Sequence, residues 1–118
     1  MTVQEFYSAV GGDYKSALAR MMNDAFITRM LGKFLANNSY ATLEEAYKNK
    51  DPKAMFEAAH SLKGVTGNLA LDDLHNKSCI IVEAVRNYES VQELNLDAEM
   101  KALESSFLLL KSKLEELL

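Results

Sequence analysis

The feature that most restricts the fold is the position of the chain's one proline, Pro52, directly after Asp51. An acid that can cap a helix, followed by proline at the first helical position, is a strong signal for a helix start. No other proline interrupts the 118 residues, and strong helix formers dominate throughout. No segment shows the alternation of a strand or the turn residues of a hairpin. The sequence therefore predicts an all-α fold.

Turn residues and hydrophobic periodicity divide the chain into successive helices. The pair Gly11–Gly12 ends a short first helix, and Asp72 or Asp73 begins a segment whose apolar side reaches Tyr88. The predicted helices cover about 3–10, 13–22, 24–35, 40–49, 52–69, 72–88, and a last segment that begins between Leu94 and Asp97. An antiparallel four-helix bundle over about 13–118, with an N-terminal extension over 1–12, is the simplest arrangement.

Composition narrows the classes of function. The formal net charge of −4 argues against a nucleic-acid binder, which would normally carry a basic stripe. The single cysteine, Cys79, excludes an internal disulfide and favours a reducing compartment, where we expect it to be a small buried hydrophobe. Because no export signal and no membrane-spanning stretch is present, the sequence predicts a cytoplasmic protein without membrane contact.

The last helix carries apolar residues at alternating four- and three-residue steps from Leu96 to Leu117. Such a seam could form a coiled-coil dimer, so self-association is one interpretation. Docking of one helix along a bundle is commoner in a chain of this size. We therefore expect a monomer.

The helix from Pro52 to Leu69 has two distinct faces on a helical wheel. One face is apolar and is predicted to point into the core: Met55, Ala58, Leu62, Val65, Thr66 and Leu69. His60 lies nearly opposite. The residues that surround it on that outer face are Lys53, Phe56, Lys63, Gly64 and Gly67.

Two glycines inside one helix need an explanation, because each costs about 0.5–1 kcal/mol relative to alanine. Gly64 and Gly67 lie beside His60 and away from the predicted core face. Their lack of side chains would let the backbone of another protein approach the imidazole. The alternative is that they mark a close crossing with a neighbouring helix of the same domain.

This outer face could support phosphoryl transfer. A neutral imidazole is nucleophilic, and Lys63, one turn from His60, could stabilise phosphoryl oxygens. Phe56 and Lys53 could contact a docked partner, although Phe56 could equally be half-buried against a neighbouring helix. The chain has no phosphate-binding loop for ATP and no acidic cluster for a metal of its own. The donor should therefore be another protein, and any Mg²⁺ should belong to that partner.

One stretch of the chain resembles the signature of the histidine-containing phosphotransfer (HPt) domain: His60-Ser61-Leu62-Lys63-Gly64, then Gly67, Leu69 and Leu71. The resemblance implies a four-helix bundle with an exposed phosphoacceptor, His60. It implies exchange of the phosphoryl group with response-regulator receiver domains and a hybrid histidine kinase, by a phosphocarrier without an ATP site. It assigns phosphoryl stabilisation to Lys63 and a cleared docking surface to Gly64 and Gly67.

Two positions depart from the pattern of that family. Ala70 stands where many members have glycine, which would stiffen the turn between two helices. Val82 stands where many members have a glutamine or glutamate that hydrogen-bonds the imidazole. Glu83, one residue later, could substitute after a small shift; otherwise water, or nothing, orients His60.

Two further interpretations of the chain remain open from the sequence. The chain could be an adaptor that docks receiver domains without accepting phosphate, which would tolerate glutamine at position 60. It could be one module of a larger hybrid sensor kinase, although Met1 mildly favours a free-standing protein. His75 has no matching neighbours for a metal site, and we expect it to be an exposed histidine.

Overall fold

The computed structural model describes residues 1–86 and 95–118. Over these ranges the chain is helical and contains no strand, which confirms the predicted all-α bundle. Tyr88 and Leu94, where predicted segments end or begin, lie outside the described residues. The seven helices are α1 (Val3–Ala9), α2 (Tyr14–Met21), α3 (Asp24–Leu35), α4 (Ser39–Lys48), α5 (Pro52–Asn68), α6 (Asp72–Val85) and α7 (Asp97–Leu117).

Side-chain caps begin four of these helices where the sequence places capping residues. The Asp51 carboxylate accepts a hydrogen bond from the backbone N–H of Ala54 at 3.1 Å, with Pro52 at the start of α5. Asp13 and Asn23 cap α2 and α3 in the same way, and Thr2 forms a reciprocal capping box in α1. Each cap satisfies a backbone donor that has no partner inside its helix. The breaks between the first three helices are thus set locally.

Helices α4 to α7 form the antiparallel bundle, with α5 packed between α4 and α6. Short turns join α4, α5 and α6, as expected of antiparallel neighbours. The bundle is closed by α7, which packs on α6. The core is filled by fully buried side chains from all four helices, among them Leu43, Met55, Leu62, Ile81, Leu103, Leu110 and Leu114. No helix within the described ranges is long and apolar enough to cross a membrane.

The apolar seam of α7 packs against other helices of the same chain. Leu96, Leu103 and Leu114 on the seam are buried, and the Phe107 ring stacks on Tyr40 at 4.1 Å between centroids. These contacts leave no continuous free stripe for a coiled-coil partner. Packing within the domain therefore accounts for the seam, and the monomeric state remains a prediction.

The N-terminal segment is clamped to the end of α5. Phe6 and Tyr7 are fully buried, and the Tyr7 hydroxyl donates a hydrogen bond to the carbonyl of Leu69 at 2.8 Å. Burial raises the pKa of the Tyr7 phenol. A Cβ at Gly12 would lie 2.6 Å from the Tyr7 ring, so only glycine fits this approach. The predicted extension is therefore part of the core.

The turn after α5 depends on Ala70. This residue has a φ of +55°, a left-handed conformation that favours glycine. Its carbonyl accepts a hydrogen bond from the N–H of Asp13 at 2.9 Å. We call these two contacts the clamp: the bond from Tyr7 to Leu69 and the bond from Asp13 to Ala70. Through the clamp, the N-terminal segment holds the strained residue in place.

Replacing Tyr7 by Phe removes the buried hydroxyl that bonds to the Leu69 carbonyl. We expect the free energy of unfolding to fall by about 1–2 kcal/mol, because the carbonyl loses its partner where water is excluded. Urea denaturation measures the difference. The control is Tyr14→Phe, whose hydroxyl bonds to Asp24 at an exposed position. If Tyr7→Phe lost no more stability than Tyr14→Phe, the buried hydroxyl would contribute no more than an exposed one, and the prediction would be wrong.

Candidate functional site

His60 lies midway along α5 and is exposed, although Ala59 beside it is fully buried. Successive helical residues point about 100° apart, so burial of Ala59 and Leu62 turns position 60 outward. One turn earlier, the Phe56 ring is tilted by 32° to the imidazole, with centroids 5.8 Å apart. Phe56 is half-buried. The imidazole therefore has an aromatic neighbour on one side and solvent in front.

Lys63 and Gly64 lie on the other side of His60. A Cβ at Gly64 would meet no atom within 4 Å, so the surface beside the imidazole is open there. Lys63 is half-buried, whereas Lys53, about two turns before His60, is exposed. A shallow groove of about 440 Å³ contains His60 and three of the residues predicted to surround it, along with residues from other helices. The groove is lined by Arg20, His60, Lys63, Gly64, Gly67, Asn68, Asp72 and His75.

The expectation that His75 is exposed is wrong. The ring is half-buried, and its Nδ1 lies 2.9 Å from the carbonyl oxygen of Lys63. Because a carbonyl only accepts, Nδ1 carries the proton and donates. Nε2 lies 3.5 Å from the sulfur of Cys79, which is itself half-buried rather than fully buried. This imidazole links α6 to the backbone of α5 one turn after His60.

His75 also changes the interpretation of Gly67. A Cβ at Gly67 would lie 3.1 Å from two atoms of the His75 ring, which is tighter than ordinary contact. Close packing between α5 and α6 therefore explains Gly67, as the alternative from the sequence allowed. Gly64 has no such neighbour. The two glycines, equivalent in the sequence pattern, have different surroundings.

Glu83 is engaged by a residue other than His60. Its carboxylate bonds to the Arg86 guanidinium at 2.8 Å, which lowers its pKa, with a smaller effect from nearby Lys63. No hydrogen bond joins Glu83 to the His60 ring in the described structure, and Val82 is fully buried. The Arg86 guanidinium also lies over the Phe56 ring, 5.5 Å from its centroid. The end of α6 thus places an ion pair next to Phe56.

Arg20 is a groove residue that the sequence pattern did not indicate. It is exposed on α2, and its Nη1 donates a hydrogen bond to the carbonyl of Gly67 at 2.5 Å. A contact across more than forty positions has no local periodicity that could reveal it. Arg20 and Lys63 are both basic residues of this groove, in a chain whose net charge is −4. Across residues 1–86 and 95–118, no three potential metal-ligating side chains come together.

The family assignment follows from the fold, the outward histidine and a direct comparison. The family model of the Hpt domain matches residues 29–118, which is most of the chain and includes the whole bundle. The chain therefore belongs to the Hpt domain family, and the predicted resemblance is confirmed. The role of that family is phosphotransfer in two-component signalling, by modules that carry a phosphoryl group and lack an ATP site of their own.

Neither the comparison with curated proteins nor the comparison with solved structures gives a match. The family match begins inside α3, so α1 and α2 lie outside it. Those two helices contribute the clamp on α5 and the side chain of Arg20.

The two glycines should respond differently to alanine. We expect Gly64→Ala to raise the free energy of unfolding by about 0.5–1 kcal/mol, because the methyl group enters open space and alanine favours helix. Gly67→Ala should show no such gain, since its Cβ presses on the His75 ring. In a His75→Ala background the gain at Gly67 should appear. Urea denaturation of the four variants checks this, and equal stabilisation at both glycines in the wild-type background would contradict it.

Proposed function

We propose that this protein is a phosphorelay intermediate that carries a phosphoryl group on Nε2 of His60. The group would come from, and return to, the aspartyl phosphate of response-regulator receiver domains, with a hybrid histidine kinase upstream. The observation that carries the proposal is the exposed imidazole on the outer face of α5, beside Lys63 and the open surface at Gly64. Membership of the Hpt family supports it.

The chemistry needs few groups from this chain. The Nε2 lone pair attacks phosphorus, the P–N bond forms, and the P–O bond to the aspartyl group breaks as its electron pair leaves with the carboxylate. The ammonium of Lys63 stabilises the phosphoryl oxygens as charge redistributes. We assign Mg²⁺ to the receiver partner, and we expect the transfer to occur in the cytoplasm.

The docking surface would surround the imidazole. Gly64 lets the partner backbone approach, and Phe56 offers an apolar contact one turn before His60. Lys53 adds a positive charge at the edge of that surface. Gly67 contributes indirectly, since its missing side chain lets His75 pack close to α5.

Replacing His60 by Gln should abolish labelling of this protein by a phosphorylated receiver domain with Mg²⁺. In the wild type we expect one acid-labile, alkali-stable label, as a phosphorylated imidazole requires. The control is His75→Gln, which removes the other histidine of the groove and should keep the label. If His60→Gln were labelled as strongly as wild type, another residue would be the acceptor and the assignment to His60 would fail. If the wild type bound the receiver but took up no label, the adaptor interpretation would replace the proposal.

Replacing Lys63 by Ala should slow transfer more than it weakens docking. Loss of one charged hydrogen-bond donor at the phosphoryl oxygens predicts a fall of about 10- to 100-fold in the rate at saturating receiver. Rapid-quench kinetics measure that rate, and titration with unphosphorylated receiver measures docking. Lys53→Ala removes the same charge about two turns before His60 and should affect docking alone. Wild-type kinetics for Lys63→Ala would show that the lysine is only a surface charge.

A further inference from the structure

Helix α2 contributes one basic side chain to the groove, whose other described lining residues lie on α5 and α6. Arg20 lines the same groove as His60 and Lys63, yet it lies outside the segment that matches the Hpt family. Its placement depends on the clamp, in which the N–H of Asp13 bonds to the carbonyl of Ala70 just before α2 begins. The N-terminal helices therefore add a charged residue that the family segment lacks.

Arg20 is held in place while most of its hydrogen-bonding capacity is unused. A guanidinium carries five N–H donors, and within residues 1–86 and 95–118 its one hydrogen bond uses Nη1 and the carbonyl of Gly67. The Gly67 carbonyl thus fixes the position of the group at the exposed edge of the groove. The planar fork of arginine suits a carboxylate, to which it can donate two parallel hydrogen bonds.

The location of Arg20 separates it from the phosphoryl group. Gly67 is seven residues after His60, about 10 Å along the axis of α5 at 1.5 Å per residue. Lys63 is only one turn from His60 and is the nearer cation. A guanidinium anchored at Gly67 is therefore placed to meet a side chain of a docked protein rather than the phosphoryl oxygens. Among the described residues that line the groove, Arg20 and Lys63 are basic and Asp72 is acidic, so the groove is positive overall.

We propose that Arg20 is a specificity residue that binds a carboxylate of the docked receiver protein at the edge of the His60 groove. This inference rests on the proposed function, because it takes the partner to be a receiver domain. It adds that α2, outside the family segment, takes part in choosing the partner. Charged groups at the rim of an interface act mainly on association and on its salt dependence.

The test uses the full chain and the receiver domain of the source organism that binds it most tightly. For Arg20→Gln we expect the KM for phosphorylated receiver and the Kd for unphosphorylated receiver to rise roughly tenfold, with kcat within about twofold of wild type. Arg20→Lys should restore part of the affinity, because it keeps the charge but loses the planar fork. Added salt should weaken wild-type binding more steeply than binding of Arg20→Gln. The matched control is Arg29→Gln, an exposed arginine on α3 outside the groove lining, which should bind as wild type.

Three results would overturn the inference. The first is equal binding by Arg20→Gln and Arg29→Gln. The second is a changed half-life of the phosphohistidine in the protein without partner, which would place Arg20 on the phosphoryl group. The third is a loss of affinity that accompanies a fall in Tm and that Arg20→Lys does not restore. That result would show that the hydrogen bond from Arg20 to Gly67 only stabilises the fold. Labelling of wild type at His60 tests the proposed function separately, and the Kd comparison needs no transfer.

Discussion

The rotational setting of α5 in the bundle is the constraint on which the site depends. Ala59 and Leu62 are fully buried between neighbouring helices, and with residues 100° apart this burial forces His60 to the opposite side. Rolling the helix by one residue would bring an imidazole into an apolar core and expose leucine. Because the core on that face is made of fully buried side chains, the outward direction of His60 is secured by packing and needs no polar partner.

The second constraint acts at the end of α5. Thr66 is fully buried and donates to the carbonyl of Leu62, the Tyr7 hydroxyl bonds to the Leu69 carbonyl, and Ala70 is held in a left-handed conformation. A non-glycine residue adopts that conformation only where its surroundings compensate, and the N–H of Asp13 on the Ala70 carbonyl supplies one such contact. The segment that holds the turn is the same one that carries Arg20. The N-terminal helices thus both stabilise the turn after α5 and supply one of the residues that line the groove.

Local signals predicted most of the architecture, and contacts between distant residues account for most of what those signals missed. Helix starts depend on residues within a single turn, as at Asp51–Pro52 and at the capping residues before α2 and α3. The two faces of α5 follow from the helical periodicity of its apolar residues. The surroundings of Gly67 depend on His75, which lies on another helix. Likewise, Glu83 bonds to Arg86 instead of His60, and Arg20 reaches Gly67 across the fold. The contacts of Gly67 with His75 and with Arg20 join residues on different helices, so no periodic pattern in the sequence indicates them. The pair of Glu83 and Arg86 is local, and its three-residue spacing on a helix is compatible with an ion pair.

The different surroundings of Gly64 and Gly67 bear on how the groove would work. Gly67 is explained by the fold, because the His75 ring occupies the space that a side chain would take. At Gly64 the fold offers no explanation, since a methyl group would meet nothing and alanine would favour the helix. A helical glycine that lowers stability without a packing reason, one turn from an exposed imidazole, is most simply explained by a constraint from outside the chain. The close approach of a partner's backbone is such a constraint, and it would act at the same turn whose Lys63 carbonyl is held by His75.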